Sequence, residues 1–383
     1  MTLRITWDEA SARRMERQFL AVPAKAGTAV AEVVGAMLGA HAQVLSAAEV
    51  SVGVRADGVT RADVRAALWE DRSLVKTYGP RGTLHLLPSS ELPLWTAALA
   101  AVPTGPSPFR PEVRLTDAQA DEVVAAIGDA LDGASLTIDE LGDEVVARTG
   151  PWAGDLVMPA FQGMWPRWRQ VMHRAGQRGA LCFGPNRGRK VTYTRPPRFE
   201  PLAADQGLSL LVRRHLRAYG PATASHFAKW AAAPRGWAAE LFASLADAGD
   251  IEEVDFAGGP AWVAAGDTEF PQEPVRGVRL LPYFDAYAIG CQPREVLFPG
   301  AAYERALAGG QAGNYPVLLV DGVVAGVWHQ RRQGRRTRVT VEPLGQLTPA
   351  RERELAQQVE RVGEVLEAKP ELVVGKVTAG PHA

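Results

Sequence analysis

The chain has 383 residues, 46% hydrophobic and 22% charged, and 42 Lys and Arg set against 43 Asp and Glu give a formal net charge of -1. That length holds two to four compact units with real cores, and the charge balance leaves nucleic-acid binding to local clusters rather than to a global field. Cys182 and Cys291 form no CxxC pair, no apolar run approaches the ~18 residues of a membrane span, and the first residues lack a signal-peptide layout; a cytoplasmic protein without metal, cofactor or membrane contact is expected.

Along the chain, the first conspicuous stretch is VVGAMLGAHAQVLSAA at 33–48, where only His41, Gln43 and Ser46 are polar. Burying an imidazole or a carboxamide without partners costs about 1–3 kcal/mol each. Side chains two apart on a helix diverge, whereas Gly39 offers an end to one helix and Ser46 a cap for the next. His41 and Gln43 are therefore placed on an irregular junction between two helices, both open to one small site. On those residues alone, a pair of satisfied core or helix-end polar groups is the simpler account.

A pattern then recurs three times. Thr60, Thr137 and Thr223 each open a short helix, the first two with an acid three residues on (Asp63, Glu140), a capping-box spacing. Extended runs follow: residues 73–87 around the turn 79–82, residues 180–195 around Gly-Pro-Asn-Arg-Gly, and residues 250–263 around Gly258-Gly259. Residues 164–179 are expected to supply a recognition helix, and 235–248 a further helix. Helix, capped short helix, helix and two-stranded flap is the layout of a winged helix. Beyond about residue 273 short β-like runs take over (278–281, 315–320, 323–328, 337–341), with Asp321-Gly322 as a hairpin turn and a closing helix at 349–368. The reading is α+β: three tandem winged-helix units at 1–100, 101–200 and 201–272, then a small β-barrel-like domain at 273–383.

Charge is uneven. Residues 156–199 contain no Asp or Glu but hold Arg167, Arg169, Arg174, Arg178, Arg187, Arg189, Lys190, Arg195 and Arg198. A solvated helix face usually mixes signs, so this run favours an anionic partner, and arginine's fork suits phosphate oxygens. A second cluster, HQRRQGRRTR at 329–338, carries Arg331, Arg332, Arg335, Arg336 and Arg338 between two expected strands. Such a hairpin can enter a minor groove or straddle a backbone. Walker A, HExxH, GxSxG and EF-hand patterns are absent, and the seven histidines have no ligand spacing.

Four stretches carry a family resemblance: GAHAQVLSAAEVSV at 39–52, VKTYGPRGTLH at 75–85, LLPYFD at 280–285 and LVDGVVAGVW at 319–328. With the three winged units, the chain resembles the bacterial winged-helix DNA glycosylases of the AlkZ (azinomycin B resistance) and YcaQ types. That resemblance implies a monofunctional, cofactor-free hydrolase, monomeric, acting on double-stranded DNA that carries alkylated bases. Its substrates would be bulky or cationic N7-alkylguanine adducts, interstrand crosslinks among them. The family's Gln-x-Gln or Gln-x-Asp element falls on His41 and Gln43; the second Gln is kept and the first is His. Asp285 is a candidate for remote electrostatic support or for a structural cap. The rival reading is a non-enzymatic winged-helix DNA-binding protein or regulator; a third, a protein-interaction scaffold, would set the arginines against acidic protein.

Overall fold

Threonine caps set where the helices begin. In the computed structural model, which describes residues 2–103, 105, 107, 109–160, 163–307 and 309–380, Thr137 and Thr223 close reciprocal capping boxes with Glu140 and His226 at the heads of Ile138–Thr149 and Ala224–Ala231. At Arg61–Trp69 the Asp63 carboxylate accepts from both the backbone N–H and the hydroxyl of Thr60, each at 2.7 Å. Three antiparallel hairpins lie where the extended runs are expected: Leu74–Tyr78 with Leu84–Pro88, Cys182–Arg187 with Lys190–Thr194, and Ile251–Phe256 with Gly259–Ala264.

The first two hairpins are joined. Lys76 pairs with Phe183, and the two merge with Ala40–His41 and Ser135–Thr137 into one six-stranded sheet. The third hairpin takes Arg4–Ile5 as a parallel neighbour of Asp255 and Phe256, and the helix Trp7–Arg17 follows directly. The C-terminal sheet runs Val278–Leu281, Val317–Val320, Val323–Gln333, Arg336–Pro343, Lys369–Val374. It is an open half-barrel, because among the described residues its two end strands each pair on one side only. Asp321 (φ 51°) and Gly322 (φ 84°) both adopt the left-handed conformation that a tight two-residue hairpin turn requires.

Four local expectations need correction. Residues 164–179 do not form one helix; the strand Gly163–Pro166 pairs with Leu156–Ala160, a 3-10 turn spans Arg167–Val171 and the helix is only Met172–Gln177. Pro166 explains the break, since it lacks an N–H and biases the residue before it toward extended backbone. Ser46 is not a cap: the helix Leu45–Gly53 starts behind Val44 without a side-chain cap. The closing helix, Pro349–Val365, ends early at a turn through Glu367 (φ 52°), freeing Lys369–Val374 to run parallel to Arg336–Pro343. Finally, the segment between the first two C-terminal strands is helical at Ala286–Gly290, Arg294–Leu297 and Ala301–Ala306.

The helix Leu45–Gly53 is buried through residues 47–53, with its polar members partnered: Glu49 by Arg61 and Arg65, and Ser51 by Asp285. Ala48 and Val52 pack with Val33, Val34 and Met37 on one side, and Val50 packs with the C-terminal core of Val278, Trp328 and Val362 on the other. Arg361 donates to the Gly53, Ala56 and Val59 carbonyls at 2.7, 2.6 and 2.8 Å, satisfying acceptors at the helix end. This helix therefore joins the His41 strand to the C-terminal sheet. No helix among the described residues is long and apolar enough to cross a membrane.

Candidate active site

The chain reaches His41 through a sharp reversal. The helix Val30–Ala36 ends at Met37, and Leu38 (φ 57°) and Gly39 (φ 90°) turn the backbone into the strand Ala40–His41. Gly39 is required twice over: its φ disfavours a side chain, and a Cβ there would lie 2.9 Å from the Leu87 side chain. The strand runs antiparallel to Leu84–Pro88, with Ala40 opposite Leu86 and His41 opposite His85, and the Ala42 N–H donates to the Leu84 carbonyl at 2.7 Å.

His41 and Gln43 do not lie on one helix, so the divergence of i and i+2 there does not apply. Ala40 and Ala42 are fully buried in the core, the strand ends at His41, and the chain bends at Gln43 before the next helix begins. Gln43 is exposed, with Val44 exposed beside it, while His41 keeps only 9% of its surface. One member of the pair is thus held by packing and the other faces solvent.

His41 sits in an aromatic frame. Its ring lies 4.5 Å from Phe284 at 32° and 5.1 Å from His85 at 69°, edge to face. Its Nδ1 is buried and has no hydrogen-bond partner among the described residues. Burial first, and the Arg81 cation second, push its pKa down to about 3, so it is a neutral imidazole at working pH. His85 is neutral as well, held well below the usual range by burial and by the neighbouring His41 and Arg81. Its Nδ1 lies 2.9 Å from the Thr83 carbonyl; a carbonyl only accepts, so Nδ1 carries the proton. Gly79 makes room for this ring, since a Cβ there would lie 2.6 Å from His85 Nδ1.

These histidines set a pH dependence of stability. Burial lowers the pKa of His215 to about 3 and of His226 to about 4, alongside His41 and His85. Between those values and the unfolded ~6.5, the unfolded chain binds more protons, so stability rises with pH there. It is complete above about pH 6.5 and falls below it, by about 1.4 kcal/mol per pH unit for each imidazole while it remains neutral in the fold. Urea midpoints from pH 8 to pH 5 should show that decline; a flat series would contradict the burial of these rings.

Asp285 is fully buried and completely engaged. Its Oδ1 lies 2.7 Å from Arg55 Nη2, its Oδ2 accepts from Arg55 Nη1 at 2.8 Å and from the Ser51 hydroxyl at 2.6 Å, and it caps Ala286–Gly290 through the Tyr287 N–H. Its charge is matched inside the core, and its neighbour in sequence is Phe284, the ring against His41.

The two arginine clusters differ. The acid-free run at 156–199 is acid-free only in sequence. It folds against the acid-bearing segment before it, which supplies Asp155 to Arg167, Asp117 and Asp121 to Arg174, Asp121 to Arg178, Glu140 to Arg187, Asp139 to Lys190 and Asp132 to Arg195. Arg169 lies over the Trp165 ring at 4.1 Å. Arg189 has no ion pair among the described residues and is exposed. The hairpin is the freer cluster: Arg331, Arg332, Arg335 and Arg336 are exposed around Gly334 without an ion pair among the described residues, and only Arg338 meets an acid, Glu371 at 3.4 Å. The strands themselves run through the cluster, so Arg331, Arg332, Arg336 and Arg338 lie on paired backbone and Arg335 lies in the turn.

Sequence reading passed over Arg81 and Phe284. Arg81 lies in a turn within the stretch 75–85 that carries the family resemblance without marking this residue, and nothing in LLPYFD at 280–285 announces that Phe284 meets a residue 243 positions earlier.

The fold is that of a DNA glycosylase, and a family model described as DNA glycosylase AlkZ-like matches residues 34–365. The chain belongs to the AlkZ-like DNA glycosylase family. It is 33% identical over 345 residues to an interstrand DNA cross-link repair glycosylase of Streptomyces sahachiroi, covering 85% of this chain and 88% of that protein. The structure of Streptomyces sahachiroi DNA glycosylase AlkZ superimposes with a TM-score of 0.78 at 29% identity, over 97% of this chain and 100% of that one.

Proposed function

We propose that this glycosylase hydrolyses the N-glycosidic bond of cationic or bulky N7-alkylguanines, crosslinked ones included, with Gln43 and His41 at the reacting centre. The observation that carries the assignment is the junction itself: a solvent-facing carboxamide two residues from a buried neutral imidazole whose Nδ1 has no hydrogen-bond partner among the described residues. N7-alkylation makes the guanine a cation, so the C1′–N9 electron pair leaves with the base and neutralises it; no general acid is needed. The enzyme's task is to hold a water against C1′ as positive charge develops on the sugar. The Gln43 carboxamide holds that water by hydrogen bonding, and His41, too weakly basic to keep a proton, orients it as an acceptor. The water oxygen bonds C1′ and its surplus proton passes to solvent, leaving an abasic site. No lysine lies in the motif to form a Schiff base.

Three tandem winged-helix units (1–100, 101–200, 201–272) and the terminal sheet unit (273–383), acting as a monomer, would present DNA to this site. An open channel between such units suits bulky adducts better than a base-flipping slot. The basic hairpin is the firmest DNA contact, since Arg331, Arg332, Arg335 and Arg336 have no ion pair among the described residues. Among the described residues, Arg189 and Arg198 are the freest of the run at 156–199, Arg169 is held only by Trp165, and Arg167, Arg174, Arg178, Arg187 and Lys190 would have to exchange carboxylates for phosphates. Neutralising Arg331, Arg332, Arg335 and Arg336 together should flatten the log–log salt dependence of duplex binding by up to about 3.6, at ~0.9 per phosphate contact. An unchanged slope would remove the hairpin from the interface. The function is tested by incubating the enzyme with duplexes bearing a panel of N7-guanine adducts and scoring alkali-labile sites. Release of at least one adduct supports it; binding to every duplex without base release would favour a non-enzymatic DNA-binding protein instead.

A further inference from the structure

Arg81 occupies the turn that closes the hairpin Leu74–Tyr78 with Leu84–Pro88, where the Gly79 N–H donates to the Thr83 carbonyl at 2.9 Å. Its backbone is left-handed (φ 61°, ψ 13°), a conformation that costs a non-glycine residue about 1–2 kcal/mol. The guanidinium is tied across the molecule, with Nη1 donating to the Trp230 carbonyl at 2.7 Å on the helix Ala224–Ala231. Among the described residues it has no ion pair. That sets it apart from Arg14, a structural arginine whose guanidinium is fully buried and satisfied by the carbonyls of Gly220, Pro221 and Gln292. Arg81 keeps part of its surface exposed and has donors left over.

The turn that bears Arg81 sets Gly79 against the His85 ring, which lies edge to face with His41, and the Arg81 cation disfavours the charged form of both His41 and Arg294. Its positive charge is thus placed close to His41. Such charge opposes the developing oxocarbenium unless an anion accompanies it. The one anion that DNA brings to every nucleotide is its phosphate, and a guanidinium fork matches two phosphate oxygens.

We infer that Arg81 is a positioning residue that grips a phosphate flanking the lesion nucleotide, holding the sugar beside His41 and Gln43. The inference rests on the placement of the reacting centre proposed above, but it is read through binding and not through excision.

The test uses the full-length protein and duplexes with a tetrahydrofuran abasic analogue, each with one flanking phosphate replaced by an uncharged methylphosphonate. Wild type should lose about tenfold in affinity at one phosphate beside the analogue. Arg81→Gln, which keeps a donor for the Trp230 carbonyl, should bind the all-phosphate duplex about tenfold more weakly, lose nothing further at that phosphate, and show a salt slope lower by ~0.9. Arg81→Lys should regain part of the sensitivity. If Arg81→Gln responds to every replacement as wild type does, the inference is overturned. Should Arg81→Gln not fold, a wild-type scan in which no phosphate beside the analogue matters overturns it equally. Loss of the catalytic assignment would look different: Gln43→Ala would still excise while the Arg81 coupling persisted.

Discussion

Gln43→Ala is expected to slow excision of an N7-alkylguanine adduct by at least about 10²-fold while leaving affinity for the adducted duplex within about a factor of two. The carboxamide is the exposed member of the pair, so its removal opens no cavity and leaves no buried group unpaired. Surface substitutions of that kind change stability by no more than ~0.5 kcal/mol, and a lost rate cannot be put down to unfolding. The measurement is single-turnover excision beside a direct binding titration. Full excision by the alanine variant would sink the mechanism. His41→Gln is the informative companion, because it restores the Gln-x-Gln element implied by the family resemblance at a position packed against Phe284 and His85. It should retain excision and change the order in which a panel of adducts is accepted; an unchanged order would mean that His41 does not shape the substrate range.

His41 and Gln43 were legible as an oddity because two polar groups stood in an apolar run. The run suggested two helices and a junction, and both residues lie between Val30–Ala36 and Leu45–Gly53. What could not be read was the two-residue strand into which Leu38 and Gly39 reverse the chain, since it exists only because Leu84–Pro88 is there to pair with it. Long-range pairing of this kind leaves no local periodicity to read. The capped helices and the hairpins were legible for the opposite reason: a threonine with an acid three residues on, or Asp-Gly between apolar runs, carries its geometry within a few residues. The acid-free run misled in an instructive way. Its charge seemed uncompensated along the chain, but ion pairs form through space, and Asp117, Asp121, Asp132, Asp139, Glu140 and Asp155 lie just upstream. The hairpin at 329–338 escaped that fate because it projects as paired strands with little packed against its tip.

Arg55→Ala should destabilise the protein by about 3–5 kcal/mol, the cost of leaving a buried carboxylate without its partner. Arg55 and Asp285 have no exposed side-chain surface, and their paired hydrogen bonds at 2.7 and 2.8 Å, with Ser51 at 2.6 Å, take up both carboxylate oxygens. The pair lies at the seam between the helix that follows Gln43 and the segment that bears Phe284. Breaking it should therefore act on the site as well as on the fold. Phe284 holds a left-handed backbone (φ 56°) directly before Asp285, its N–H bonded to the Gly313 carbonyl at 3.0 Å, and a loosened Asp285 would release the ring that packs on His41. Asp285→Asn keeps an acceptor for the Tyr287 N–H but strands the Arg55 cation, so it should fall in the same range. Replacing both partners with apolar residues, Arg55→Met with Asp285→Leu, should recover part of the loss, because no buried charge then remains. Urea unfolding of wild type, Arg55→Met, Asp285→Leu and the double variant closes the cycle and gives the coupling between the two positions. The single variants should also lose excision beyond what their folded fraction explains. An Arg55→Ala protein within about 1 kcal/mol of wild type would show that water reaches the carboxylate and that the clamp does not hold the seam.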